Sequence, residues 1–201
     1  MRAEFRRGRA VYSAVMQVIG VVGLPGSGKS EAAAVAHELD IPVVTMGDVV
    51  RAETEDRGLD PATDHGTVAQ AMREEDGLAA IADRSLPIIE SRLEENDVVL
   101  IDGIRSGHEV AVFEEAFEDD FTLVEVFAPF EIRDERLAER GRDTSEAEGG
   151  ESLEARDERE RGFGMDDAIE AADVRIENTD SLEAFRDEVR TLLEEEQTED
   201  P

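Results

Sequence analysis

The sequence predicts a three-layer α/β sandwich, in which a five-stranded parallel sheet lies between two layers of helices. Short β-branched runs alternate with helical patterns along the chain, and strands separated by helices pair in parallel through right-handed crossovers. The first run is apolar throughout, as expected for a strand that is covered on both faces. The length of 201 residues suits one such domain and is short for two.

Five apolar runs predict the strands, and helical patterns separate them. The strands are expected at residues 18–22, 41–44, 98–101, 123–127 and 174–176. The helices are expected near residues 31–39, 47–57, 65–75, 77–94, 107–117, 130–140 and 152–160. A last helix is marked by the apolar stripe of Leu182, Phe185, Val189, Leu192 and Leu193. Asp180, with Glu183 three residues later, predicts a capping box at its start.

The charge of the chain limits its partners. It carries 52 acidic and 21 basic residues, a net charge of −31, so phosphate-driven binding to nucleic acid or to an anionic membrane is not expected. Lys29 is the only lysine, a composition that resembles proteins of salt-accumulating halophilic archaea. A disordered acidic chain is the alternative, but 40% hydrophobic residues in regular patterns favour a folded domain.

Cysteine and long apolar segments are both missing from the sequence. Without cysteine there are no disulfides and no thiolate zinc sites. No apolar run approaches the roughly 18–20 residues that a membrane-spanning helix needs. We therefore expect a cytoplasmic protein. Residues 1–15 are expected to form a disordered basic extension, residues 16–193 one domain, and residues 194–201 an acidic tail.

The clearest chemical signal is an eight-residue segment that fits the pattern G-x-x-x-x-G-K-[ST] completely. It follows the first predicted strand and opens the first predicted helix, which is the context that such a match requires. Its glycines allow successive N–H groups to point at phosphate oxygens, and the helix adds the positive end of its dipole. The segment consists of Gly23, Leu24, Pro25, Gly26, Ser27, Gly28, Lys29 and Ser30.

This phosphate-binding loop, or P-loop, predicts that the protein binds ATP and that the fold is a P-loop NTPase sandwich. Lys29 is expected to neutralise the β- and γ-phosphates, and Ser30 to offer its hydroxyl to Mg²⁺. The alternative is a glycine-rich turn with an exposed lysine. The chain keeps its single lysine at this position, which favours the phosphate-binding interpretation.

A second chemical signal, an acidic residue, follows the third predicted strand. Residues 98–101 are apolar and end in Asp102 and Gly103, the Walker-B pattern. At the carboxyl end of a neighbouring strand, Asp102 would face the P-loop, where ligands bind in open parallel sheets. Its expected role is to hold Mg²⁺ through water. Taken alone, a strand that ends in Asp-Gly is more often just a turn.

Several segments together resemble adenylate kinases and dephospho-CoA kinases. Residues 23–29 match the G-x-P-G-x-G-K loop of adenylate kinases, residues 46–51 resemble their T-G-D-M-L-R segment, and residues 102–105 resemble a variant of D-G-F-P-R. Residues 172–178 and 181–183 are similar to the closing A-D-x-x-I-x-N…S-L-E of dephospho-CoA kinases. Over residues 16–193, the combination most resembles an archaeal family of adenylate-kinase-related P-loop ATPases.

The resemblance implies roles for a second set of residues. Arg51 and Arg105 would hold the phosphate of an acceptor molecule, with Asp48 either orienting the acceptor or capping the helix that contains Arg51. Arg136 and Arg140 are similar to the paired catalytic arginines of the lid. The resemblance also implies an acceptor-binding insertion near residues 47–90 and a lid near residues 136–160. Arg156 and Arg159 are further candidates, with a solvated helix face as the alternative.

The sequence departs from these relatives at the acceptor side. Met46 replaces the threonine of the T-G-D-M-L-R segment, although Thr45 is adjacent, and Arg105 lies one position earlier than the matching arginine.

We expect an Mg-ATP-dependent phosphotransferase whose acceptor is a nucleoside monophosphate, AMP among them, or a dephospho-CoA-like molecule. The alternative is a nucleotide-switched ATPase that hydrolyses slowly and binds a protein partner. The sequence leaves the oligomeric state open.

Overall fold

The computed structural model describes residues 16–139 and 151–198, which form five strands and nine α-helices within those ranges. The strands are β1 (Gln17–Val22), β2 (Val43–Thr45), β3 (Val98–Asp102), β4 (Phe121–Phe127) and β5 (Val174–Glu177). The helices are α1 (Lys29–Glu38), α2 (Met46–Asp56), α3 (Pro61–Asp76), α4 (Ala80–Leu93), α5 (Gly107–Phe117), α6 (Phe130–Glu139), α7 (Leu153–Gly162), α8 (Met165–Glu170) and α9 (Leu182–Thr198).

The strands form one parallel sheet in the order β2-β3-β1-β4-β5, which confirms the predicted fold class. β1 lies at the centre and pairs with β3 on one side and β4 on the other. Val21 of β1 is in register with Asp102 of β3, and Asp102 is in register with Thr45 of β2. The carboxyl ends of three adjacent strands therefore meet at one edge of the sheet, where the P-loop begins.

Apolar side chains cover both faces of the sheet, because successive residues of a strand point to opposite sides. On one face, Val18 and Val22 of β1 pack in a cluster with Val99 and Phe113. On the other face, Ile19 and Val21 join a second cluster with α1 and α9. A sheet buried in this way needs the continuously apolar strands that the sequence shows.

The segment expected as an acceptor-binding insertion consists of α2, α3 and α4. Val50, Met72 and Ile89, one from each helix, are buried in the same cluster as Val18 of the sheet. The three helices therefore extend the main core and do not form a separate one. Across residues 16–139 and 151–198, no helix is both long enough and apolar enough to cross a membrane.

Several predicted element ends differ from the structure. β2 begins at Val43 and not at residue 41, because the N–H of Ile41 bonds the carbonyl of Ala36 at the end of α1 (2.9 Å). The cap of α9 is Ser181 and not Asp180, since the Ser181 hydroxyl accepts from the Ala184 N–H (3.2 Å). α9 runs to Thr198 and thus takes in part of the segment expected as a tail. The expected extension, residues 1–15, lies outside the described residues.

The capping of α9 provides a test of the fold. Ser181→Ala should lower the free energy of unfolding by about 1 kcal/mol, because an N–H of the first turn loses its acceptor. Asp180→Ala, at the exposed neighbouring position, should change it far less. Chemical denaturation in molar KCl, which screens the change in charge, measures both variants. A larger loss in Asp180→Ala than in Ser181→Ala would restore the capping box centred on Asp180.

Candidate functional site

The loop between β1 and α1 has a backbone that requires glycine. Gly23, Gly26 and Gly28 have φ angles of +147°, +79° and +121°, which side chains with a Cβ rarely adopt. A Cβ at Gly23 would lie 2.4 Å from the carbonyl oxygen of Val126, and one at Gly28 would lie 2.4 Å from Nδ2 of Asn178. A side chain at either glycine would collide with the end of β4 or with the residue after β5, so the loop packs closely against these strand ends.

The loop offers polar groups that suit an anion. Ser27 is 1% exposed, and among the described residues its hydroxyl has no hydrogen-bond partner. α1 begins at Lys29, and the first N–H groups of a helix have no acceptor within the helix. A phosphate group at this position would meet a buried hydroxyl, free N–H groups and the positive end of a helix dipole. The residues of the loop therefore fit a nucleotide phosphate chain.

Lys29 places its ammonium group under this loop. Nζ donates to the carbonyl oxygens of Gly23 (2.6 Å) and Leu24 (3.2 Å). Burial of the ammonium group lowers the pKa of Lys29 to about 8, against the opposing effect of Asp102 and Glu160, which raise it. Four charged side chains act on this one ammonium group: Asp102, Glu160, Arg105 and Arg133. Lys29 is therefore the centre of a compact group of charges.

Asp102 and Ser30 are the candidates for a magnesium ion. Asp102 ends β3 and is half-buried, and Ser30 lies exposed in the first turn of α1. Within the described part of the chain, no group of three or more histidine and carboxylate residues is placed to hold a metal ion. Mg²⁺ needs only one or two protein ligands when substrate phosphates and water complete its shell. A hydroxyl and a carboxylate beside the P-loop fit that requirement.

Asn178 supports the P-loop from the end of β5. Its Nδ2 donates to the Ser27 carbonyl (2.8 Å), and its Oδ1 accepts from Nη2 of Arg136 (3.0 Å). Its own N–H bonds the carbonyl of Phe127 (2.7 Å). The expected lid residue Arg136 is therefore held against the P-loop support. Arg140, the other expected lid arginine, lies outside the described residues.

Arg133 is the most heavily bonded side chain near the loop. It is 3% exposed and donates to the carbonyls of Pro25 (2.9 Å) and Ala128 (3.1 Å). Two further bonds, of 2.8 and 2.7 Å, reach the two carboxylate oxygens of Asp157, which is 4% exposed. This bidentate pair links α7, in the second half of the expected lid, to the P-loop.

The expected acceptor residue Arg51 lies on α2, and Asp48 pairs with it. Nε of Arg51 donates to Oδ1 of Asp48 (3.0 Å), and both side chains are largely exposed. Asp48 does not cap α2, because the helix begins at Met46 and Asp48 is already inside the first turn. The capping alternative is therefore wrong, and Asp48 instead holds the guanidinium group one turn later.

Arg105 is bonded to two carboxylates. Its Nη1 donates to Oε1 of Glu160 on α7 (2.8 Å), and its backbone N–H donates to Oε2 of Glu109 (2.7 Å). Glu109 is buried, which raises its carboxyl pKa, and it also faces Arg73 (3.5 Å). Arg159, a further candidate, pairs with Glu151 and more distantly with Glu160. Arg105 therefore lies beside the Lys29 centre.

Sequence reasoning missed Arg133, Asp157, Glu109 and Glu160. A signal was present for the first two, because Arg133 follows Phe130 by three residues and precedes Leu137 by four, on the apolar stripe of α6. Asp157 likewise follows Leu153 by four residues on α7. A charge on the core face of a helix indicates a buried partner, although the sequence does not say which one.

The Arg133–Asp157 pair gives a test that needs no activity. Asp157→Ala should lower the free energy of unfolding by about 3–5 kcal/mol, because it leaves a buried guanidinium without its counter-ion. Arg133→Met removes the guanidinium group, and the double variant Arg133→Met, Asp157→Ala should be less destabilised than the two single losses combined. Urea denaturation in molar KCl measures all three variants. Additive losses in the double variant would contradict a coupled ion pair.

Comparisons with known proteins agree with this geometry. Residues 22–154 match the family model of an AAA domain. The chain is 63% identical over 180 residues to a UPF0200 protein of Halobacterium salinarum, covering 89% of this chain and 93% of that one. TT1252 from Thermus thermophilus has a similar structure at 23% identity and a TM-score of 0.59, over 90% of this chain and 97% of that one.

A dephospho-CoA kinase from Campylobacter jejuni is also similar in structure. It has 17% identity and a TM-score of 0.59, over 89% of this chain and 96% of that one, which shows a common fold. The sheet order, the loop after β1 and the similarity to archaeal proteins all lead to the same assignment. The chain belongs to the UPF0200 family and carries an AAA domain with a P-loop.

Proposed function

We propose that this protein is an Mg-ATP-dependent phosphotransferase that acts on a phosphate-bearing, nucleotide-type acceptor. The observation that carries the proposal is the placement of Lys29. The only lysine of an acidic chain lies under a loop whose backbone requires glycine. The charges of Asp102 and Arg105 act on its ammonium group. Phosphoryl transfer is mostly positioning and charge neutralisation, and this is a group of side chains suited to both.

On the donor side, the loop of residues 23–30 would bind the phosphates of ATP. Lys29 would neutralise the β- and γ-phosphates in place of its present bonds to two loop carbonyls. The buried Ser27 hydroxyl, which has no partner among the described residues, would gain an acceptor. Ser30 and Asp102 would hold Mg²⁺, which supplies neutralisation of charge on the transferred group when it is bound. We place this reaction in the cytoplasm.

On the acceptor side, Arg51 and Arg105 would bind the phosphate of the acceptor. A planar guanidinium group pairs with phosphate through two parallel hydrogen bonds. Structural neighbours are named for three acceptors: dephospho-CoA, gluconate and shikimate. The first of these is nucleotide-like, and we propose a dephospho-CoA-like molecule or a nucleoside monophosphate such as AMP for this chain.

One observation favours a second function. Both acceptor arginines already have carboxylate partners, Arg51 with Asp48 and Arg105 with Glu160. If no acceptor replaces these partners, the protein would be a nucleotide-switched ATPase that hydrolyses slowly and controls a protein partner. An inert bisubstrate analogue separates the two functions, because a kinase should bind it far more tightly than ATP alone.

Turnover in Lys29→Ala tests the proposal directly. Coupled assays in molar KCl with AMP, CMP, UMP, GMP and dephospho-CoA should find one acceptor that the native protein phosphorylates. Lys29→Ala should lose this activity by about 10³-fold or more, since the charge on the transferred group is no longer neutralised. Arg92→Ala, which also removes one positive charge but lies exposed on α4, is the matched control. Failure of every acceptor would leave the switch as the better interpretation.

The pKa of Lys29 gives a pH-dependent prediction. An anionic ligand stabilises the protonated amine and raises a pKa that is about 8 in the free protein. ATP affinity should therefore fall as the pH rises above this value, and binding at pH 8 should take up about half a proton. Calorimetry at pH 8 in two buffers of different ionisation enthalpy measures the uptake. At pH 6.5 the uptake should vanish, and proton release at pH 8 would contradict the placement of Lys29.

A further inference from the structure

Glu160 is, with Asp157, one of two buried carboxylates on α7. It is 6% exposed, whereas Glu154 and Glu158 on the same helix are exposed. Its Oε1 accepts from Nη1 of Arg105 (2.8 Å) and lies 3.5 Å from Nη2 of Arg159. Buried carboxylates need charged or hydrogen-bonding partners, and Glu160 takes them from the candidate site itself.

The surroundings of Glu160 are the charges of the P-loop centre. Glu160 and Asp102 are the two negative groups that act on the Lys29 ammonium, and Arg105 is one of the positive groups. Arg133, the other positive group, is already neutralised by its two bonds to Asp157. Glu160 is therefore the ion-pair partner of Arg105, and its negative charge also acts on Lys29, so it links one cation from each side of the proposed reaction.

A carboxylate and a phosphoryl group are both oxyanions with the same preference for guanidinium and ammonium donors. Lys29 is assigned to the end of the ATP phosphate chain, and Arg105 to the acceptor. An anion that interacts with both cations lies where the two substrates meet. We propose that the Glu160 carboxylate occupies the subsite of the transferred phosphoryl group, and that the γ-phosphoryl displaces it. This inference rests on the proposed function.

The anchoring of α7 determines how the exchange takes place. Asp157, three residues before Glu160, is bonded to Arg133, which in turn bonds the Pro25 carbonyl of the P-loop. Movement of the whole helix would break these buried bonds, whereas rotation of the Glu160 side chain breaks only its own. The exchange therefore leaves α7 in place, and Glu160 returns to neutralise the two cations after release of the product.

Binding of ATP and ADP to Glu160→Gln tests the subsite. Removing a negative charge that competes with the γ-phosphoryl should raise ATP affinity by about tenfold in titration calorimetry. ADP lacks the competing group, so its affinity should change by less than about twofold. Glu158→Gln is the matched control, because it alters the net charge equally from an exposed position on the same helix. In Glu158→Gln, both affinities should stay near those of the native protein.

The outcomes separate this inference from the proposed function. Equal gains for ATP and ADP, or a loss of ATP affinity, would overturn the subsite, since Glu160 would then act on the whole phosphate chain or simply hold Arg105. If the native protein and both variants bind no ATP, the proposed function itself fails. Should Glu160→Gln not fold by circular dichroism, Glu160→Asp replaces it. That shorter carboxylate reaches Arg105 less well and should still favour ATP over ADP.

Discussion

The buried pair of Arg133 and Asp157 joins the parts of the molecule on which the site depends. Through one guanidinium group, the P-loop carbonyl of Pro25, the turn after β4 and helix α7 share a common anchor. A charge removed from water is tolerated when it is paired and hydrogen-bonded, and all three guanidinium nitrogens of Arg133 donate to these three segments. The position of Glu160 beside Arg105 follows from this anchor, because α7 carries both Asp157 and Glu160.

The positive charges of the candidate site are balanced by carboxylates of the same chain. Arg51 has Asp48, Arg105 has Glu160, and Lys29 feels Asp102 and Glu160. In a chain with a net charge of −31, such pairing keeps the site from being a general anion trap. An incoming phosphate must offer better geometry than the resident carboxylate, so selectivity comes from exchange of partners and not from excess positive charge.

The sheet and the P-loop followed from the sequence because their signals are local. Each strand is read from its own short apolar run, and the glycine pattern and its lysine follow β1 directly. The pairings that complete the site are not local. Asn178 reaches Ser27 across 151 positions of sequence, and Asp157 reaches Arg133 across 24. A charged residue shows that it needs a partner, yet only tertiary packing decides which of 52 acidic residues supplies it. The cap of α9 was missed for a different reason. Asp180 and Ser181 are adjacent, and both residue types cap helices, so the sequence pattern does not decide between them.

The solitary lysine has a consequence for chemistry in the laboratory. Since its amine loses a proton near pH 8, Lys29 is a nucleophile under mildly alkaline conditions, and no other side chain carries such an amine. Among side-chain amines, an acylating reagent would therefore mark this one nitrogen, and peptide mapping would distinguish it from an acylated α-amino terminus. Any molecule that shields the nitrogen slows the labelling, so occupancy can be followed by mass spectrometry without knowledge of the reaction that the protein performs.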